Sequence, residues 1–192
     1  MGMANILDIV RRNWVVIAII TLLAVGAALV FSFGQKPVYE ANATCLISPT
    51  ASGANAYGAV QEISVLVNTI KEIAVSSPVL EGAAQRLGTA VGLNQLKQDV
   101  ASQVIVNTQI IAISARAETP VKAMNKANAV AASLVDYVNK KTGENSNYRI
   151  EQLDPAIAPK SPVSPRPVKN GIIAFILGLI LGTTVAILID SR

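Results

Sequence analysis

Two long runs of apolar residues, one near each end, dominate the pattern of the chain. The first runs from Trp14 to Phe33 without a charged residue, and the second runs from Gly171 to Ile189 in the same way. An α-helix rises about 1.5 Å per residue, so about 20 residues cover the roughly 30 Å hydrocarbon core of a bilayer. The pattern therefore predicts two membrane-spanning helices with one domain between them.

A cleaved signal peptide is the alternative for the first run, because the residues at 26–28 are small enough for a signal peptidase. However, the run is longer than the usual signal core of about 7–15 residues. Large side chains at Leu29, Phe31 and Phe33 also follow the small residues. We therefore interpret the run as a retained span.

Charges beside the spans predict the orientation. Arg11 and Arg12 precede the first span, which favours a cytoplasmic N-terminus. Lys160, Arg166 and Lys169 then fall on the outer side, where the positive-inside rule has little weight because the loop exceeds about 60 residues. The expected order is a cytoplasmic segment at 1–13, a span at 14–33, an exoplasmic domain at 34–158, a proline-rich stem at 159–170, a span at 171–189 and a cytoplasmic end at 190–192.

The middle of the chain alternates between strand and helix patterns. Strands are predicted at Val38 to Ile47, at Val104 to Ala115 and at Tyr148 to Ile157. Helical spacing, or a capping residue before a proline, predicts helices elsewhere. These cover Val60 to Ala74, Ser77 to Leu87, Leu93 to Val100 and Thr119 to Lys141, and a loop covers Ala51 to Ala59. The prediction is an α/β (α+β) domain with a small mixed or antiparallel sheet covered by helices.

Composition argues against an enzyme. Cys45 is the single cysteine and histidine is absent, so a disulfide framework, a cysteine-based zinc cluster and a histidine base are excluded. No phosphate-binding G-x-x-x-x-G-K-[ST] loop occurs, and Glu62 and Glu72 are too far apart on one predicted helix to act together. The net charge of +4 is too small and dispersed to indicate nucleic-acid binding. We expect no catalytic residue, metal or cofactor.

Small residues recur every fourth position in the second span. They are Ala174, Gly178, Gly182 and Ala186, which on a helix form one stripe. Such stripes let two helix backbones approach closely in lipid, although glycine and alanine are also common in membrane helices in general. The packing partner is either the first span, where Ala24 and Ala28 are four apart, or another subunit.

A proline-rich segment precedes the second span. Pro159, Pro162 and Pro165 are three residues apart and Pro167 follows, so a polyproline II helix would align the first three along one edge. The segment is either a stiff spacer or a docking ridge for a neighbouring subunit or partner. The nearby cations Lys160, Arg166 and Lys169 either contact glycan or lipid phosphates or are ordinary interfacial charges.

Several short motifs occur in a fixed order along the chain. They are the arginine-flanked first span, Tyr39-x-Ala41, Ser77-Pro78-Val79-Leu80, Ile110-Ile111-Ala112-Ile113, Thr119-Pro120 with Ala123, Ala127 and Asn128, and Pro159-x-x-Pro162-x-x-Pro165. Together they resemble one known family, the polysaccharide co-polymerases or Wzz-type chain-length determinants. The resemblance covers essentially the whole chain, and the proline run before a glycine-bearing final helix is its most specific element.

The resemblance implies a scaffold without catalytic activity, in the bacterial cytoplasmic membrane. Members form homo-oligomers, rings in some cases, and set the length of O-antigen, capsular or exopolysaccharide chains made by a Wzy-type polymerase. The chain is similar in size to the short Gram-positive capsule adaptors, which activate a separate tyrosine autokinase through a cytoplasmic tail. Only three residues follow the second span here, so either the chain was cut there or any contact with a kinase uses the N-terminal segment and the helix ends. The alternatives to a chain-length regulator are an activator of such a kinase and a two-span sensory protein.

Overall fold

The computed structural model describes residues 11–50, 66–88, 92–143 and 148–190. The chain divides into a terminal unit, Met1–Lys36 with Ser164–Arg192, and a central unit, Pro37–Val163. The loop predicted at Ala51 to Ala59 and the helix start predicted at Val60 lie outside the described residues. In chain order the elements are α1 (Trp14–Gly34), β1 (Tyr39–Pro49), a helical segment at 66–74, α2 (Ser77–Leu87), α3 (Leu93–Asp99), β2 (Val100–Val104), β3 (Ile110–Ala117), α4 (Pro120–Thr142), β4 (Tyr148–Asp154) and α5 (Pro167–Asp190).

The terminal unit consists of α1 and α5. Both helices are long and apolar enough to cross a membrane, with a mean hydropathy of 2.8 in each. Helix α5 begins at Pro167, four residues before the predicted span. Proline fits the first turn of a helix because the amide hydrogen it lacks has no intrahelical acceptor there. The proline segment therefore ends inside α5.

The central unit contains one four-stranded sheet in the order β2-β3-β1-β4. Every neighbouring pair is antiparallel, with Cys45 opposite Ile111 and Ile47 opposite Ile150. Strand β1, which follows the first apolar helix in the chain, lies in the middle of the sheet. The expected small sheet covered by helices is confirmed, and the sheet is purely antiparallel.

The strand predicted from Val104 to Ala115 is wrong as a single strand. Strand β2 ends at Val104 and β3 begins at Ile110, with a turn between them in which Asn107 has φ of 61°. Asparagine adopts this left-handed conformation more readily than most residues. The Thr108 hydroxyl donates to the carbonyl of Ile105 at 2.8 Å and closes the turn. The apolar residues Val104, Ile105 and Val106 extended the predicted strand back through this turn, and the rest of β2 was not predicted.

The core lies between the sheet and the helices. Alternate residues of each strand point to the helical side, as the two-residue period of a strand requires. The buried positions include Ala41, Ala43, Cys45 and Ile47 of β1, Ile111, Ile113 and Ala115 of β3, and Val130 and Leu134 of α4. Burial raises the pKa of the Cys45 thiol from 9.0 to about 12, so this side chain acts as a small neutral core residue.

Helices α2 and α4 cross closely at two small residues. A methyl group added at Gly82 would lie 3.3 Å from the hydroxyl oxygen of Ser133. Ser133 is buried, and its hydroxyl has no hydrogen-bond partner within the described structure. An unpaired buried hydroxyl is unfavourable because it has lost its contacts with water. The crossing thus gains close packing at the expense of one unsatisfied polar group.

We predict that Ser133→Ala stabilises the protein by about 1 kcal/mol, because it removes the unsatisfied hydroxyl and improves helix propensity. Thermal unfolding of the full chain in detergent, followed by circular dichroism, measures the change. Ser102→Ala is the matched control, since the Ser102 hydroxyl donates to the carbonyl of Lys71 at 2.6 Å. The control should lose stability. A lower melting temperature of Ser133→Ala would contradict the conclusion that the Ser133 hydroxyl is unsatisfied.

Candidate functional site

The two glycines of the stripe on α5 lie against the backbone of α1. A methyl group added at Gly178 would lie 2.9 Å from the Cα of Thr21, and one added at Gly182 would lie 3.0 Å from the Cα of Ile17. Real Cβ atoms hardly ever approach other atoms this closely. Glycine at both positions therefore permits the spacing between the two helices.

The remaining stripe residues extend the same face. Ala186 is buried with the two glycines, whereas Ala174 is half-buried. The position of a methyl group on Gly178 is 3.2 Å from the Cβ of Ala24, one of the two alanines considered as a partner on the first span. Ala28, the other, is half-buried. Within the chain, the stripe faces the first apolar helix.

Polar contacts tie the two helices together near both ends. The Asn170 amide donates to the hydroxyl of Ser32, at 3.1 Å, and Ser32 is fully buried. At the opposite end, Arg12 forms an ion pair with Asp190. These pairs fix an antiparallel hairpin with a defined register. Neither pair is predicted by the sequence pattern, although a serine near the end of an apolar run is a signal that could identify one of them.

The structure places the predicted stem residues and cations as follows. Lys160, Arg166 and Lys169 are exposed, as is Pro162, whereas Pro159, Pro165 and Pro167 are half-buried. Lys160 belongs to the central unit, while Arg166 and Lys169 belong to the terminal unit. A role for these cations in contacting glycan or lipid stays a prediction.

The first half of the proline segment is attached to the central unit rather than free. Ala156 is 4% exposed. Its amide donates to Oδ1 of Asn128 at 2.7 Å, and its carbonyl accepts from Nδ2 of Asn128 at 3.0 Å. Farther along, the Val163 amide donates to the carbonyl of Val38 at 2.8 Å. Residues that enter and leave the domain thus lie side by side.

Several charged groups of the central unit form structural pairs. The ammonium of Lys126 is buried, 2.6 Å from a carboxylate oxygen of Asp99 and 3.3 Å from the carbonyl of Arg116. Arg116 in turn pairs with Glu40 at 2.8 Å. In the part of the chain that the structure describes, no group of three or more acidic or cysteine side chains could hold a metal ion. The buried polar groups join elements of the fold together.

Comparison with known proteins identifies relatives of the chain. A family model described as Wzz, chain length determinant protein, matches residues 2–87. The capsular polysaccharide biosynthesis protein CpsC of Streptococcus agalactiae is 28% identical over 98% of the chain and 84% of its own length. The probable capsular polysaccharide biosynthesis protein YwqC of Bacillus subtilis is 25% identical over 98% of the chain and 77% of its own.

A solved structure shares the fold. It is a full-length bacterial polysaccharide co-polymerase, with a TM-score of 0.55 and 12% sequence identity over 99% of the chain and 98% of its own. The chain therefore has the fold of a polysaccharide co-polymerase. It is similar to the Wzz chain length determinant family over residues 2–87 and, over nearly its whole length, to the two capsular polysaccharide biosynthesis proteins named above. The resemblance found in its motifs is confirmed.

We predict that Gly178→Ala and Gly182→Ala each force the two apolar helices apart, because the added methyl group would meet the backbone of α1. Overpacking of this kind costs about 1–3 kcal/mol. A lower melting temperature of the full chain in detergent would show the loss. A longer distance between spin labels at the exposed positions Leu23 and Leu177 would show the separation.

Gly26→Ala is the matched control for both substitutions. Gly26 lies on α1, and a methyl group added there has no atom within 4 Å. It makes the same chemical change in an apolar helix without a clash, so stability and label distance should stay at wild-type values. If Gly26→Ala were as harmful as Gly178→Ala, close backbone contact would not be what holds the hairpin.

Proposed function

We propose that the chain is a membrane scaffold that regulates the length of a surface polysaccharide made by a Wzy-type polymerase. The observation that carries the proposal is the similarity to capsular polysaccharide biosynthesis proteins along 98% of the chain. The match to the chain length determinant model and the co-polymerase fold support the same conclusion. The polymer would be O-antigen, capsule or exopolysaccharide.

In this proposal the protein holds other components in position and catalyses no reaction. Apart from Ser133, the buried polar side chains described above bond to backbone groups or to each other, as Lys126 does to Asp99. We therefore infer that the chain is not an enzyme and uses no cofactor.

Assembly with copies of itself is part of the proposal. The stripe on α5 is occupied by α1 of the same chain, so contacts between subunits would use other surfaces. Large apolar side chains such as Leu22, Phe31, Leu177 and Leu181 point away from the hairpin and are exposed. They provide a surface for lipid, for a neighbouring subunit and for the polymerase. We propose that the chain forms a closed homo-oligomer in the form of a ring.

The proposed location is the bacterial cytoplasmic membrane, with both termini in the cytoplasm and the central domain outside. Two helices suited to span a membrane support a two-pass arrangement. Their antiparallel pairing brings Arg12, just before α1, beside Asp190 at the end of α5, on one side of the hairpin. The arginines before α1 then favour the cytoplasmic side for those ends.

Removing the protein from its own bacterium should change the modal length of the surface polymer, because the scaffold no longer acts with the polymerase. Gel electrophoresis of the extracted polymer measures the distribution, and a plasmid copy of the full chain should restore it. The total amount of polymer should change less than its length. An unchanged distribution would overturn the proposed function.

Reporter fusions test the orientation. Alkaline phosphatase, which is active only outside the cytoplasm, should be active when inserted after Gly143 in the central domain and inactive when fused to residue 192. A fluorescent protein that folds only in the cytoplasm should give the opposite pattern. Phosphatase activity at the C-terminus would contradict the two-pass topology.

A further inference from the structure

Two asparagines on one face of α4 each bond to both backbone groups of a single residue. Asn139 donates from Nδ2 to the carbonyl of Ile150 at 2.9 Å and accepts from its amide at 3.1 Å. Asn128 makes the same pair of bonds with Ala156, at 3.0 and 2.7 Å. The two asparagines are 11 residues apart, close to three helical turns. Each side-chain amide thus makes the two bonds that a peptide group of an adjacent strand would make.

The two asparagines hold different parts of the chain. Ile150 lies inside β4 and is also opposite Ile47 of β1, so the sheet itself fixes its position. Ala156 lies two residues beyond the end of β4, where strand pairing has stopped. Asn128 also accepts from the side-chain amide of Gln152 at 3.1 Å. This bond connects Asn128 to β4 near the end of that strand. Asn128 therefore holds the chain against α4 at a point beyond the end of the sheet.

The segment after Ala156 has little freedom once that residue is fixed. Six residues lie between Ala156 and Val163, whose amide is bonded to the carbonyl of Val38. Pro159 and Pro162 lie between them, and proline restricts φ to one narrow range. Helix α5 starts at Pro167, four residues after Val163. The bonds of Asn128 thus set where the chain leaves the central domain on its way to the second apolar helix.

We propose that Asn128 is a positioning residue that clamps the exit segment, residues 155–163, to the central domain and through it determines the polymer length that the scaffold sets. The second part of this statement rests on the proposed function. The clamp uses a half-buried amide and an almost fully buried alanine. When the amide is lost, the peptide groups of Ala156 have no partner at that site, and the segment must move to reach water.

Hydrogen exchange on the full chain in lipid nanodiscs tests the clamp directly. In Asn128→Leu, amide exchange in the exit segment should rise by about tenfold or more, because local opening becomes easier. Asn139→Leu is the matched control, with the same chemical change on the same helix at another half-buried position. It should raise exchange around Ile150 and leave the exit segment at its wild-type rate. Equal rates in the exit segment of all three proteins would overturn the clamp.

The length of the polymer tests the consequence. Asn128→Leu should shift the modal length, whereas Asn139→Leu, at a comparable melting temperature and membrane level, should leave it unchanged. A shift of the same size in both variants would assign the effect to stability and overturn the proposal. So would an unchanged length in Asn128→Leu when deletion of the whole protein does change it. An unchanged length on deletion would instead refute the proposed function, while the exchange data still decide the clamp.

A milder variant is available if Asn128→Leu does not accumulate in the membrane. Asn128→Asp keeps an oxygen that accepts from the Ala156 amide but loses the donor to the Ala156 carbonyl. Exchange in the exit segment should rise by a factor of about three, and the modal length should move in the direction of the deletion. Wild-type exchange and length in this variant would overturn the proposal.

Discussion

The backbone contact between the two apolar helices is the constraint on which the rest of the chain depends. Lipid offers no hydrophobic gain for helix pairing, so the pair holds through the close packing that the glycines of α5 permit. Because the pair is antiparallel, the chain leaves α1 beside the point where it enters α5, as the bond between Ser32 and Asn170 shows. The central domain must then begin and end at neighbouring points. The bond from Val163 to Val38 meets this requirement within the domain itself.

Helix α4 holds together the parts of the central domain, including the segment by which the chain leaves it. Its apolar face covers the sheet through residues such as Val130 and Leu134. Its polar side chains reach past the core, where Lys126 pairs with Asp99 and the two asparagines bond to the backbone of the last strand and its continuation. These buried polar groups hold the backbone in place. This use of polarity suits a scaffold, whose function depends on fixed positions.

The spans and the fold class could be predicted because lipid and strand pairing impose strict periodic patterns. The stripe at Gly178 was likewise visible, but its contact with Thr21 was not, since a polar residue inside an apolar run does not reveal which face it occupies. The boundary between β2 and β3 was missed because apolar residues continue up to Asn107 and resume soon after it. The clamp could not be predicted, because no sequence pattern indicates that an asparagine on a helix bonds to the backbone of a residue 28 positions away.

The assembly state of the full chain in lipid tests the scaffold account most directly. The proposed scaffold acts as a homo-oligomer, so the account requires several copies of the chain to assemble. Native mass spectrometry of the full-length protein released from nanodiscs, at several protein concentrations, measures the number of subunits. The account predicts one closed oligomer of fixed size. A protein that stays monomeric at every concentration would contradict it.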